Sequence, residues 1–191
     1  MKMTRLEKRF VNSDRHGRRV ATAMLERLRD VPTQPGQRLL DVGCGNGTAG
    51  RAVAETLQLD VTGVDVDPDQ IALASHTAAA GTSVRWVVAD ATALPFHDHL
   101  FDVVVTSKTL HHVDDWRRAV SECIRVLRPG GYLVVADMAP PAWAAWLVGR
   151  VVGRRPATAT ELTHLAGALG LQLVRQWRSV MQLSAVWQRP R

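Results

Sequence analysis

Cysteine is almost missing from this chain: 191 residues hold only Cys44 and Cys123. Two thiols build neither a metal cluster nor a disulfide framework, so a reduced cytoplasmic setting and no metal site are expected. Phe and Tyr total four residues, too few for the stacking platforms that grip nucleic acid strands. No run reaches the ~20 apolar residues of a spanning helix. The most apolar stretch, Pro141 to Gly149, is nine residues long. The first nine residues are charged with no apolar segment behind them, so no secretory leader is expected. Acidic residues are scarce at the ends: residues 150–191 carry seven Arg and one Glu, and residues 1–30 carry nine Lys or Arg against four acids. Two readings of the basic ends stand. Arg is the solvating residue of this chain, or the ends meet an anionic substrate, a membrane surface or nucleic acid.

What the chain does have is an ordinary globular balance, 46% apolar and 22% charged, and enough length for one self-sufficient core. Short apolar runs alternate with amphipathic stretches, the pattern of βαβ units. Strands are expected at Arg38–Val42, Leu59–Val64, Val84–Val88, Phe101–Thr106 and Tyr132–Ala136. Leu171–Trp177 and Val180–Trp187 add a closing pair. Helices fall between them. Arg18–Arg29 ends at Val31-Pro32. Asp67-Pro68 starts a helix that turns Ile71, Ala74 and Ala78 inward. Asp114 or Asp115 caps another that buries Trp116, Val120, Cys123 and Leu127. Pro129-Gly130-Gly131 breaks it. Thr158-x-x-Glu161 is a capping box that opens a helix with Leu162, Leu165, Ala166 and Leu169. Five strands separated by helices demand a mostly parallel, doubly covered sheet, here with an antiparallel edge.

The chemistry-bearing stretch is Leu39-Leu40-Asp41-Val42-Gly43-Cys44-Gly45-Asn46-Gly47-Thr48. A strand ends, a glycine-rich turn follows and a helix starts, which lets backbone N–H groups approach a ligand. The dinucleotide pattern G-x-G-x-x-G fails, because Thr48 stands where the third glycine belongs. Asp41 is unfavourable beside a pyrophosphate and suits a cationic ligand. Asp65 ends the second strand, where a carboxylate accepts the hydroxyls of a ribose, and Asp90 ends the third, where a carboxylate beside a backbone N–H reads adenine. All these strand ends lie on the edge where open α/β sheets bind ligands.

Together these residues resemble the class I S-adenosylmethionine-dependent methyltransferases of the type 11, ubiquinone-biosynthesis-like group. The matching segments are Leu39–Thr48, Val61–Pro68, Val88–Phe96, Phe101–Val113 and Val126–Ala136. The resemblance implies a Rossmann-like seven-stranded sheet of order 3-2-1-4-5-7-6, with strand seven antiparallel and helices on both faces. It implies S-adenosyl-L-methionine as cofactor and S-adenosyl-L-homocysteine as product. Gly43, Cys44, Gly45, Asn46 and Gly47 would wrap the methionine part, with Asp41 near its ammonium and sulfonium. Asp65 and Val66 would hold the ribose, Asp90 and the Ala91 backbone the adenine, and Thr106–Ser107 would face the cofactor amino group.

Methyl transfer needs a general base only when the acceptor holds a proton. The candidates are His111, His112 and Asp137, whereas His97 and His99 read as solvated loop residues. The acceptor, a small apolar or amphipathic molecule methylated on O, N or C, would be gripped by two segments. One is Phe10–Arg19, within an N-terminal arm and helix (1–35). The other is the insert 138–157 of the methyltransferase domain (36–191). In the insert, Trp143, Leu147 and Val151 are spaced four apart beside Trp146. That helix packs on the core, lies in a membrane interface through 141–155, or covers the acceptor as a lid. Because the insert is short for the family, the pocket is expected to be open or completed by a second copy in a homodimer. Enzymes that methylate DNA amino groups carry Asn/Asp-Pro-Pro-aromatic after strand four. Ser107-Lys108-Thr109-Leu110 stands there instead, which disfavours nucleic acid as partner. The rival readings are a non-catalytic module that binds the cofactor or its product, and a NAD-dependent reductase, which the missing glycine and Asp41 disfavour.

Overall fold

The computed structural model describes residues 14–76, 83–152 and 155–191, with no account of the side chains of 14–16 and 151–152. Residues 10–13 of the N-terminal arm, Ala78, and the Gly153-Arg154 pair of the insert lie outside the described residues. The elements in chain order are α1 (Asp14–Leu28), β1 (Arg38–Val42), α2 (Thr48–Leu57), β2 (Asp60–Asp65), α3 (Pro68–His76), β3 (Val84–Val88), β4 (Phe101–Ser107), a 3-10 turn (Leu110–His112), α4 (Trp116–Val126), β5 (Leu127–Met138), α5 (Ala142–Val152), α6 (Ala159–Ala168), β6 (Gln172–Arg178) and β7 (Gln182–Gln188). The sheet has seven strands in the order β3-β2-β1-β4-β5-β7-β6. β1 to β5 pair in parallel, and β7 runs antiparallel to both β5 and β6.

Alternate residues of the central strands feed two cores, as the pleat requires. Leu40, Val42, Val104, Leu133 and Val135 face α4 and α6, through Trp116, Val120, Cys123, Leu162 and Ala166. Leu39, Val61, Val103, Val105 and Val134 face α1 and α2, through Met24, Leu28, Ala49 and Val53. α1 thus shares its core with the sheet. Both caps read from the sequence form. The Asp115 side chain accepts from Arg118 N at 3.0 Å, and Thr158 and Glu161 close both halves of the capping box.

One element differs plainly from expectation. β5 begins at Leu127 instead of Tyr132. α4 ends at Val126, before the Pro-Gly-Gly segment, which stays in the sheet as an irregularity where pairing jumps from Phe101↔Leu127 to Val103↔Tyr132. Gly130 N donates to Arg189 O, and Arg189 N returns a bond to Gly131 O, both at 2.9 Å. α5, for which the sequence leaves core packing, a membrane interface and a lid open, turns Ala144 and Ala145 to the protein and leaves Trp143, Trp146 and Leu147 exposed. The small residues allow close approach, so the large apolar ones are not the packing stripe.

Candidate functional site

Four successive strand ends build one cavity of about 670 Å³, within the range of small-ligand sites. Its walls come from the turn after β1, the ends of β2 and β3, the segment Ser107–Asp115, and Gly17 and Val20 of α1. The turn is pinned to its neighbour: Gly43 N and Cys44 N both donate to Val64 O, at 2.8 and 2.9 Å. Gly43 has φ +78°, and a Cβ there would stand 2.1 Å from Thr109 Oγ1. Only glycine lets the turn and the loop after β4 come together. Gly47 precedes α2 with φ +74°, and its Cβ would meet the Trp86 ring at 2.8 Å. Asn46 Oδ1 accepts from Thr48 N at 3.2 Å and Thr48 Oγ1 at 2.9 Å, fixing the entry to α2.

Asp65 ties two loops together. Its Oδ2 accepts from Gly45 N at 3.0 Å and its Oδ1 from Asp67 N at 2.9 Å. Burial pushes its carboxyl up, and these backbone donors oppose the rise. Asp90 is exposed on the rim. Its Oδ1 accepts from Thr92 N and Thr92 Oγ1, both at 2.8 Å, and the backbone bond is the main reason the carboxyl sits below its usual range. Asp41 lies behind the wall, 2% exposed. Burial, reinforced by the Asp65 charge, pushes its carboxyl up to about 7. Its Oδ2 has no hydrogen-bond partner among the described residues, and neither do the amide atoms of the buried Gln70, whose Oε1 lies 3.7 Å from the Cβ position of Gly45. Burial, with the Asp41 and Asp65 charges next in weight, keeps the Cys44 thiol well above its ordinary range. That thiol is neutral and no nucleophile.

On the opposite wall, Asp137 Oδ2 accepts from Thr109 N at 2.8 Å and Leu110 N at 2.7 Å. Asp137 Oδ1 accepts from Met138 N at 2.7 Å and lies 2.5 Å from His111 Nδ1. The end of β5 thereby fixes the 3-10 turn after β4 and the plane of the His111 ring. His111 and His112 both line the cavity, with ring centroids 4.0 Å apart.

Of the residues picked out from the sequence, Gly43, Cys44, Gly45, Asn46, Asp65, Val66, Asp90, Ala91, Ser107, His111 and His112 meet on this cavity. Four do not. Gly47 sits under Trp86. Asp41 and Asp137 stand behind the wall. Thr106 is fully buried between Val42 and Val135, so the wall begins at Ser107 instead. His99 is less free than its loop suggested, since its Nδ1 lies 2.9 Å from Arg189 Nη1. Lys108, with φ +55°, and Gln70 carry no sequence signal for their places. Among the described residues, none of α5 lines the cavity.

A cationic sulfonium ligand with a ribose and an adenine fits these residues. The buried, unpartnered carboxylate oxygen of Asp41 stands behind the glycine turn, Asp65 stands at the adjoining strand end, and Asp90 is on the rim. A sequence profile described as "Methyltransferase domain" matches residues 40–135. The 2-methyl-6-phytyl-1,4-hydroquinone methyltransferase of Synechocystis is 40% identical over 103 residues, 54% of this chain and 32% of that protein. The 27-O-demethylrifamycin SV methyltransferase of Amycolatopsis mediterranei is 38% identical over 120 residues, 61% of this chain and 44% of that protein. This chain therefore matches less than half the length of these two relatives. The fold is shared with phosphoethanolamine N-methyltransferase 2 of Haemonchus contortus, solved in complex with S-adenosyl-L-methionine. That match has a TM-score of 0.77 at 18% identity and covers 90% of this chain and 52% of the other. With the profile spanning half of its length, the chain belongs to the methyltransferase domain family, in its class I S-adenosylmethionine-dependent, type 11 group.

Proposed function

We propose that this chain is an S-adenosylmethionine-dependent methyltransferase acting on a hydroxyl of a small apolar or amphipathic molecule. The observation that carries the reading is the bond between His111 Nδ1 and Asp137. It holds the ring proton on Nδ1 and leaves Nε2 as the accepting nitrogen of a residue on the cavity wall.

Gly43 to Asn46, Asp65, and Asp90 with Ala91 hold the cofactor, and Asp41 answers its positive charge from behind. When bound, the cofactor supplies a methyl group on a cationic sulfur, a leaving group that needs no proton. What remains for the protein is alignment, exclusion of water and removal of the acceptor's proton. His111 Nε2 takes that proton from the hydroxyl. Asp137 stabilises the resulting imidazolium and keeps the ring in place, so it is a positioning residue rather than the base. An oxygen acceptor agrees with the name of the Amycolatopsis relative, which specifies an oxygen position.

The test joins calorimetric titration of S-adenosylmethionine with methyl transfer to a panel of phenols and hydroquinones. His111→Gln should bind the cofactor as the wild type does and lower kcat by about 10²–10⁴-fold. Asp137→Asn should share the kcat loss. A His111→Gln variant that turns over normally would overturn the base assignment. Cofactor binding without transfer to any acceptor favours a non-catalytic binding module.

A further inference from the structure

α5 is amphipathic in reverse. Trp143, Trp146, Leu147 and Arg150 recur at i, i+3, i+4 and i+7, the spacing of one helix face. That face points outward: Trp143 is 71% exposed, Trp146 58% and Leu147 52%, while Ala145 behind them is 0% exposed. The patch continues onto the turn between β6 and β7. Ala139 N donates to Met181 O at 2.9 Å, which brings that turn beside the start of α5. Val180 there is 75% exposed and Met181 40%. Water is a poor solvent for so many large apolar side chains side by side.

The segment that carries the patch is basic. Of the seven Arg from Met138 to the end of the sequence, Arg150 lies on α5 and Arg178 at the β6–β7 turn, and the single acid of that segment is Glu161. That acid is already engaged by Arg117, Arg155 and the Thr158 cap. Arg150 stacks over the Trp146 ring at 5.0 Å, which keeps its charge beside the apolar face, and Arg178 opens the β6–β7 turn. Trp and Leu flanked by Arg are the composition of helices that lie in the headgroup layer of a membrane. α5 has 11 residues, and no described helix is long and apolar enough to cross a bilayer. A helix of that length is about 16 Å long. It offers far fewer side chains than the roughly 20–30 residues per side of a stable protein interface.

We infer that α5 and the β6–β7 turn form a docking face for an anionic lipid surface, with Trp143, Trp146, Leu147, Val180 and Met181 entering the interface and Arg150 and Arg178 meeting the headgroups. The parallel strands set its position. β4 and β5 end at the same sheet edge, so the face lies beside Asp137 and the His111 wall of the cavity. On the reading that the chain methylates an apolar acceptor, the cavity then opens near the medium in which such an acceptor dissolves.

The experiment is sedimentation of the full chain with sucrose-loaded vesicles, of phosphatidylcholine alone and of phosphatidylcholine with roughly a third phosphatidylserine, with tryptophan emission recorded in parallel. Anionic vesicles should capture the chain and shift its emission to the blue, and capture should fall as salt is added. The double variant Trp143→Ala, Trp146→Ala should lose about tenfold or more in partitioning at unchanged melting temperature. Arg150→Glu should weaken capture by anionic vesicles alone. Folded wild-type chain that stays in the supernatant at low salt would overturn the inference. So would a wild-type dimer that the double variant converts to monomer, since the face would then join two copies. No methyl transfer is needed for the readout, so its failure is separable from failure at His111.

Discussion

The ligand edge of the sheet divides into two halves of opposite chemistry. On the side of β3, β2 and β1, three strand ends carry Asp90, Asp65 and Asp41. Asp65 and Asp90 are fixed by backbone donors from the loops they organise. On the side of β5, β7 and β6, the loops carry Trp, Val, Met and Arg, and their apolar side chains reach solvent with nothing among the described residues to cover them. The first half gathers negative charge in a low-dielectric wall, which favours a cation. The second gathers positive charge around apolar surface. The His111–Asp137 pair stands where the two halves meet. On the proposed function, the two halves keep the cationic cofactor and the apolar acceptor in separate surroundings along one sheet edge.

The sharpest way to break this comparison is to remove charge from the acidic half. In the unfolded chain the Asp41 carboxyl ionises near 3.8, whereas in the native protein burial raises it to about 7. The native state binds the extra proton, so this group makes stability fall as pH rises from about 4 to about 7, and leaves it flat above. Asp41→Asn mimics the protonated form. It should match the wild type near pH 4 and exceed it at pH 8 by up to about 4 kcal/mol in urea unfolding. The same variant should lose cofactor affinity, because on the proposed function the charge that destabilises the wall also answers the sulfonium. A variant less stable than wild type at pH 8 would mean that the carboxylate is already satisfied.

A smaller effect is expected at Asp65, which ties two loops together and is the proposed ribose contact. Asp65→Ala removes the acceptor of Gly45 N and Asp67 N. At about 1.5–3 kcal/mol per hydrogen bond to a charged group, cofactor affinity should drop about 100-fold in calorimetry while the far-UV spectrum stays native. An affinity within twofold of wild type would move the ribose contact elsewhere and leave the acidic half without its central ligand.

The acidic half was legible in the sequence because its residues are local. The glycine turn, the acids at strand ends and the caps at Asp115 and Thr158 each declare themselves within a few positions. The seven-stranded order followed from family resemblance, and the doubly covered sheet from periodicity. What the sequence hid depends on distance along the chain. His111 and Asp137 are 26 positions apart and meet only because β4 and β5 are neighbours. Asp137 read as a base because nothing in the sequence shows the three backbone N–H groups that saturate it. The burial of Thr106 depends on Val42 and Val135 on either side. The face of α5 was ambiguous for another reason. A stripe of Trp and Leu and a stripe of Ala both have helical spacing, and which one turns inward is decided by how closely the helix can approach.

The smallest effect expected is the most telling for the second half. Tryptophan occurs in two opposite environments here. Trp187 on β7 is 1% exposed and packs in the core beneath α4 and α6, whereas Trp143 is 71% exposed. Trp187→Ala should cost about 3–5 kcal/mol, the usual range for emptying a large core site. The double variant Trp143→Ala, Trp146→Ala removes a comparable kind of surface twice over and should change stability in aqueous buffer by no more than about 0.5 kcal/mol. It should also raise solubility, since both rings present large apolar surface to water. A destabilisation of several kcal/mol would show that the rings pack on something in solution, a second copy or another part of the chain, and the two halves of the edge would no longer differ in what they leave uncovered. If stability is unchanged, the tryptophans contribute nothing to the fold that their replacements do not, and their spacing on α5 has to be explained by what the outer face meets.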